Sequence, residues 1–105
     1  MVRKVVVVPY DPDWQTQYHI EASHITQILE QNVVSVHHIG STAVSGICAK
    51  PTIDILLVVK SHNVLDANQQ ALGPLGYLAK GENGIPGRRY YVKLAGDRHR
   101  FHLHA

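Results

Sequence analysis

The chain has 105 residues, 45% of them hydrophobic and 17% charged, enough for one domain with one modest core and too apolar for an intrinsically disordered segment. Ten Lys and Arg against eight Asp and Glu leave a formal charge of +2, which excludes nucleic-acid binding driven by bulk charge. One cysteine, Cys48, rules out an intramolecular disulfide, while eight histidines in so short a chain are the compositional oddity.

Residues 3–8 (RKVVVV) read as a short strand rich in β-branched side chains. Its apolar run, Val5 to Val8, stops at Pro9. That is too short for a signal-peptide core or a membrane span, so a cytoplasmic location is expected. A helix then starts at YDPDW, with Asp11 as N-cap, Pro12 at the first helical position and Asp13 near the positive end of the dipole. Trp14, Tyr18, Ala22, Ile25 and Leu29 fall at helical spacing and form one apolar face. The helix should run to Glu30 or Gln31, with Asn32 as its stop.

Residues 33–39 (VVSVHHI) form the next strand, with Val34, Val36 and His38 on one face and His37 on the other. GSTAVSGICAKP follows as an ordered loop. Residues 52–59 (TIDILLVV) are almost continuously apolar and predict a central strand buried on both faces. Ser61 caps a second helix over 62–72, with Val64, Leu65 and Leu72 as apolar contacts, and Gly73-Pro74 ends it. Strands over 76–79, 88–94 and 98–104 complete the chain. Gly96-Asp97 turns between the last two, and Gly81 to Gly87 (GENGIPG) reads as a mobile loop. The order β-α-β-β-α-β-β-β predicts an α+β domain over 1–105, a mixed β-sheet with helices packed on it.

Four groups of residues could carry chemistry. Gly40-Ser41-Thr42, directly after a strand, offers close backbone approach, two hydroxyls and main-chain N–H groups to a phosphate. The same tripeptide also serves as a plain turn. Asp54 is a carboxylate inside an apolar strand, which needs a cation, a metal or several donors beside it. A strand-end salt bridge to Lys50 is the plainer alternative. His102 and His104 share a strand face with Arg100, and with His38 and Asp54 from neighbouring strands they could form a metal site. The alternative is a set of hydrogen-bonded polar residues on a half-exposed face. His19, His24 and His62 are expected in solvent. Lys50, Arg88, Arg89 and Lys93 form a basic set, of which Arg89 and Lys93 alternate with Tyr91 onto one face. That face suits a nucleotide through charge and stacking, or is simply solvated. Cys48 is expected to be a small buried residue without a catalytic role.

The run HHIGSTAVSGICAKPTIDILLVV, residues 37–59, resembles the signature of the GrpB family. The matching positions are His38, Ile39, Gly40, Ser41, Thr42, Val44, Gly46, Ala49, Lys50, Pro51 and Asp54. Ser45 stands where the family usually has proline, and Thr52 where it usually has an aliphatic residue. VVPYDPDW (7–14) and the closing FHLHA are also similar to family segments, so the resemblance spans essentially the whole chain. It implies a nucleotidyltransferase-like, palm-type core. In such a core Gly40 and Ser41 match the phosphate-binding turn, and Asp54 matches one acid of the Mg²⁺-binding pair. The second acid is absent, since Thr52 and Leu56 occupy the flanking positions. The third falls near His102 or His104.

The resulting expectation is a nucleotide or related phosphorylated ligand bound by Gly40, Ser41, Thr42, Lys50, Arg89 and Tyr91. If the protein is catalytic, Asp54 and His102 carry phosphoryl or nucleotidyl transfer. A divalent metal, Mg or Zn, would sit on Asp54, His38, His102 and His104. Two other readings are a non-catalytic nucleotide-binding or accessory module, because GrpB-like domains also occur fused to dephospho-CoA kinases, and a His-rich metal-binding protein. No membrane or specific nucleic acid is expected as partner. Family members usually continue past the H-L-H strand. A final strand with nothing after it leaves an exposed edge or face, so a homodimer is expected.

Overall fold

The computed structural model describes residues 7–95 and 98–105. The expected strand over 3–8 lies mostly outside them. Of its two described residues, Val8 pairs with Ala49 in an isolated bridge, with both N–H···O distances 2.9 Å. The Gly96-Asp97 turn also lies outside the described residues.

Helix α1 spans Asp13–Leu29. The Asp11 carboxylate accepts the Asp13 N–H at 2.9 Å, so Asp11 satisfies a first-turn donor as the sequence implied. Trp14, Tyr18, Ile25 and Leu29 are buried along one stripe, and Glu21 is buried with them. The helix passes into a single 3-10 turn over Glu30–Asn32. There the Asn32 side chain accepts the Ser61 N–H and donates to the Ser61 carbonyl, both at 3.0 Å. This two-way amide bond ties the end of α1 to the start of the second helix.

The strands are β1 (Val33–Ile39), β2 (Ile53–Val59), β3 (Tyr77–Ala79), β4 (Tyr90–Ala95) and β5 (Arg98–His104). They form one mixed sheet in the order β1-β2-β5-β4-β3. Only β2 and β5 run parallel; the other neighbours are antiparallel. The final strand is therefore the middle one, and its edges are occupied by β2 and β4. The edge argument for a homodimer does not apply to it. Between β2 and β3 lie α2 (His62–Asn68) and a 3-10 stretch over Gln69–Leu75. Ser61 caps α2 as expected, accepting the Val64 N–H at 3.2 Å. The predicted helix over 62–72 instead changes to 3-10 geometry at Gln69. Pro74 has no N–H and cannot close an α-helical bond, while Gly76 ends the stretch at φ 100°.

One face of the sheet is covered and the other is open. Ile53, Ile55 and Leu57 from β2, Tyr91 from β4, and Phe101 and Leu103 from β5 pack against Trp14, Tyr18, Ile25, Leu29, Leu65 and Leu72. Asp54, Leu56 and Val58 alternate onto the open face, where Leu56 and Val58 stay 36% and 37% exposed. The expectation that residues 52–59 are buried on both faces is thus corrected. Both helices pack on the same face of this mixed sheet, so β2, antiparallel to β1 and parallel to β5, has no layer over its second face. A bulge between Val33 and Ser35 shifts the β1 register. It leaves Val34 59% exposed and out of step with Val36 and His38.

Candidate functional site

Asp54 stands on β2 facing the open side, directly beside His102 of the parallel strand β5. Its Oδ1 lies 3.2 Å from His104 Nε2 and 3.4 Å from His102 Nδ1. One carboxylate oxygen thus orients two imidazoles, which sit at i and i+2 on the same strand face. Burial works against the Asp54 charge, but hydrogen bonds and positive charge from His102 and His104 outweigh it and hold the carboxyl below its usual range. The plainer sequence alternative, an Asp54 to Lys50 salt bridge, is not the arrangement found. Lys50 is exposed, and among the described residues the ion-pair partners of Asp54 are the two histidines.

Gly40 closes the other side of Asp54. Its φ is 75° and ψ is −170°, a combination that L-residues other than glycine essentially avoid. A Cβ built there would lie 2.8 Å from Asp54 Oδ2. Glycine is required twice at this position, by dihedral and by contact. Ser41 follows at the start of a 3-10 turn over Ser41–Ala43 and is exposed. Thr42 is not available as a ligand-binding hydroxyl. It is 1% exposed, and its Oγ1 sits 2.9 Å from His38 Nε2.

His38 is the first predicted site residue that does not join the group. It pairs with Ile55, a residue of the covered face, and stacks on Tyr18 of α1 with ring centroids 4.8 Å apart. Burial lowers its pKa, Asp54 partly opposes that, and His19 adds to it. His38 therefore anchors the Gly-Ser-Thr turn from behind, through Thr42, while His102 and His104 face the opposite side of the sheet. The four-ligand metal set does not assemble. Among the described residues no group of three or more His, Cys, Asp or Glu converges to hold a metal ion. A Mg²⁺ pair needs several oxygen donors, and this group offers one carboxylate already bonded to two rings. The residues present do not fit such a metal centre.

Arg89 and Tyr91 are the second correction. They do share a face with Lys93, but it is the covered one. Arg89 grips Asp66 of α2 through Nε at 2.8 Å and Nη2 at 3.0 Å, and this pairing lowers the Asp66 pKa. Lys93 binds both oxygens of Glu21 at 3.0 and 3.1 Å. Tyr91 is 2% exposed, and its hydroxyl has no hydrogen-bond partner among the described residues. Tyr91 is closed to solvent, and the charges of Arg89 and Lys93 are each committed to a carboxylate on a helix. A buried, unpaired hydroxyl destabilises the folded state by about 1–3 kcal/mol. Tyr91→Phe is expected to raise the urea midpoint, by about 1 kcal/mol of stability. A lower midpoint would show that the hydroxyl supports the fold.

The open face instead carries Arg88 and Tyr90. The Tyr90 ring lies 5.0 Å from the His104 ring and 5.5 Å from the His102 ring. The Arg88 guanidinium lies over Tyr90 at 4.6 Å. Arg88 appears in the basic set read from sequence, but the choice of Arg89 passes over it, and Tyr90 is absent from that reading. The signal for both is the period-2 alternation of RRYYV, whose phase depends on the register against FHLHA. Of the residues expected to be incidental, His19, His24 and His62 are exposed. Cys48, expected inside, is exposed. A shallow cavity lined by Ile28, Leu29, Asn32, Val64 and Asn68 lies near the end of α1, and no predicted site residue lines it.

These features define an α+β protein with one covered and one open sheet face, and with its polar group where the two parallel strands meet. The GrpB protein family model matches residues 4–105, and the chain belongs to the GrpB family. It is 35% identical over 102 residues to the UPF0157 protein YqkA of Bacillus subtilis, an alignment covering 97% of this chain and 29% of that one. It is 33% identical over 92 residues to the glutamate-rich protein GrpB of Alkalihalophilus pseudofirmus, covering 87% of this chain and 53% of that one. A 74-residue segment is 38% identical to part of a dephospho-CoA kinase of Mycobacterium tuberculosis, covering 68% of this chain and 18% of that protein. The crystal structure of GrpB from Enterococcus faecalis superposes with a TM-score of 0.89 at 39% identity, covering 94% of this chain and 59% of that chain. The chain thus matches between about a fifth and three fifths of the length of these relatives. No described helix is long and apolar enough to cross a membrane.

Proposed function

We propose that the open-face group binds a nucleotide or a related phosphorylated small molecule. The observation that carries this reading is the fit at Gly40. A glycine-only backbone brings the Gly-Ser turn within contact of Asp54, and Asp54 in turn holds His102 and His104. Ser41 and the turn's main-chain N–H groups would take phosphate oxygens, with the imidazoles alongside as donors or acceptors. The dephospho-CoA kinase similarity supports a phosphorylated coenzyme or nucleotide as the ligand class. Binding without catalysis is favoured over nucleotidyl transfer by the single carboxylate. Thr52 and Leu56 flank Asp54, and histidines stand beside it on β5.

The test is calorimetric titration with pyrophosphate and with ATP, each with and without Mg²⁺. Binding that does not depend on Mg²⁺ is expected. Asp54→Asn should weaken it roughly tenfold, the worth of a charge-assisted hydrogen bond, because the amide oxygen still accepts but no longer carries the charge that orients both rings. Unchanged affinity in Asp54→Asn would remove Asp54 from the site. Turnover of ATP that requires Mg²⁺ and disappears in Asp54→Asn would replace the binding reading with an enzymatic one.

A further inference from the structure

We propose that Arg88 is the anion-receiving residue of this site, with its guanidinium presented to a phosphate group by the 81–87 loop and by Tyr90. The proposal rests on the phosphorylated-ligand reading above and names the residue that supplies its positive charge.

Three basic side chains lie just before β4 or within it, and the structure separates them by partner. Arg89 is matched to Asp66 and Lys93 to Glu21. Arg88 has no carboxylate partner among the described residues. Its Nε and Nη2 donate to the main-chain carbonyls of Glu82, at 3.1 Å, and Asn83, at 2.8 Å. Its Nη1 lies 3.5 Å from His104 Nδ1. Carbonyl dipoles fix the orientation of a guanidinium without cancelling its unit charge. A guanidinium has five N–H donors, and these contacts engage three of them. One N–H on each terminal nitrogen is left, the pair that matches two oxygens of a phosphate.

The surroundings hold the group in place. The Arg88 guanidinium carbon lies over the Tyr90 ring, which adds a cation–π contact and restricts its rotamers. The 81–87 loop that supplies the two carbonyls is itself bonded, by Gly87 N–H to Glu82 Oε2 at 2.7 Å and by Ile85 N–H to the Glu82 carbonyl at 3.2 Å. Little ordering would be needed when a ligand arrives, which favours affinity. The position also solves an electrostatic problem. Asp54 repels a phosphate, and His104 stands between the two charges, with Nε2 toward Asp54 and Nδ1 toward Arg88. An anion received at Arg88 meets the cation and not the carboxylate.

The test uses the full chain, uniformly ¹⁵N-labelled, with sodium pyrophosphate and then ATP as probes. In the wild type, titration should shift the Arg88 guanidinium resonances and leave those of Arg89, which is locked to Asp66, in place. Arg88→Gln should weaken pyrophosphate binding about tenfold or more. Arg88→Lys, which keeps the charge but loses the fork, should fall between Arg88→Gln and the wild type. Wild-type binding with unmoved Arg88 resonances, or unchanged affinity in Arg88→Gln, overturns the Arg88 proposal and leaves the phosphorylated-ligand reading standing. No wild-type binding of either probe overturns both. The wild-type resonances decide the matter even if a variant fails to fold.

Discussion

Gly40→Ala should destabilise the protein by about 2–6 kcal/mol and abolish the pyrophosphate binding proposed for the open face. The first part of the cost is the backbone. At φ 75° and ψ −170° a residue with a Cβ is strained by about 1–3 kcal/mol. The second part is the contact. The new methyl would sit 2.8 Å from Asp54 Oδ2, and overpacking of this kind adds about 1–3 kcal/mol. Asp54 Oδ2 must move to relieve the clash, and this disturbs the carboxylate whose Oδ1 meets His102 and His104. For a domain near 100 residues each 1 kcal/mol moves the thermal midpoint by about 4–8 °C, so the change is large in a melting curve. Gly46→Ala is the matched control in the same loop. Its φ is 83°, but nothing lies within 4 Å of the added Cβ, so it carries the strain without the clash. Equal stabilities for the two variants would show that the contact with Asp54 is unimportant. Intact pyrophosphate binding in Gly40→Ala would separate the turn from the site.

Lys93→Met should cost about 3 kcal/mol, the low end of the range for breaking a buried ion pair by removing one partner. Glu21 is 4% exposed and lies in the middle of the α1 stripe. It is held by Lys93 Nζ and by the Tyr77 hydroxyl, which donates at 2.8 Å. Burial and the adjacent Glu21 charge push the Tyr77 phenol far above its ordinary pKa, so it stays protonated and donates to Glu21. With Lys93 gone, the carboxylate keeps one neutral donor inside the core. Lys93 is itself 24% exposed along its side chain, so water reaches the site and moderates the cost. Glu21→Gln with Lys93→Met should recover about 1–2 kcal/mol, because a neutral amide still accepts from Tyr77 and leaves no buried charge. Urea unfolding of the two singles and the double gives the coupling. A Lys93→Met variant within 1 kcal/mol of wild type would show the pair to be incidental.

The Glu21–Lys93 and Asp66–Arg89 pairs explain why half of the basic set is not at the site. The same side chains that read as a nucleotide-binding face clamp the two helices to the sheet. Position in sequence could not separate the two roles, since a Lys or Arg on a strand serves either equally well. Glu21 carried no warning either, because a single carboxylate in an amphipathic helix ordinarily faces water.

Local chemistry was enough for much of the rest. Trp14, Tyr18, Ile25 and Leu29 repeat at helical spacing and are all buried. Ser61 caps α2 through a hydroxyl suited to that position. The strands over 33–39 and 98–104 coincide with β1 and β5. Gly40 and Asp54 stood out as a glycine after a strand and a charge within one, and they meet at contact distance. Which residues join them was decided by register. β4 and β5 pair Ala95 with Arg98 and Leu94 with His99, and that phase would set Tyr91 opposite His102 and Arg89 opposite His104. Arg100 is instead the extra residue of a bulge, so Lys93 meets Phe101, Val92 meets His102 and Tyr90 meets His104. Because side chains alternate with period two, that single residue moves Tyr90 and Arg88 to the site, buries Tyr91 and turns Arg89 toward Asp66 of α2. The pairing of His38 with Ile55 acts in the same way and sends His38 to the covered face. The sequence alone determined most of the elements and the family, and it singled out Gly40 and Asp54. Only the tertiary structure assigned a face to each neighbouring side chain, because face is a property of strand pairing and no strand carries its register within itself.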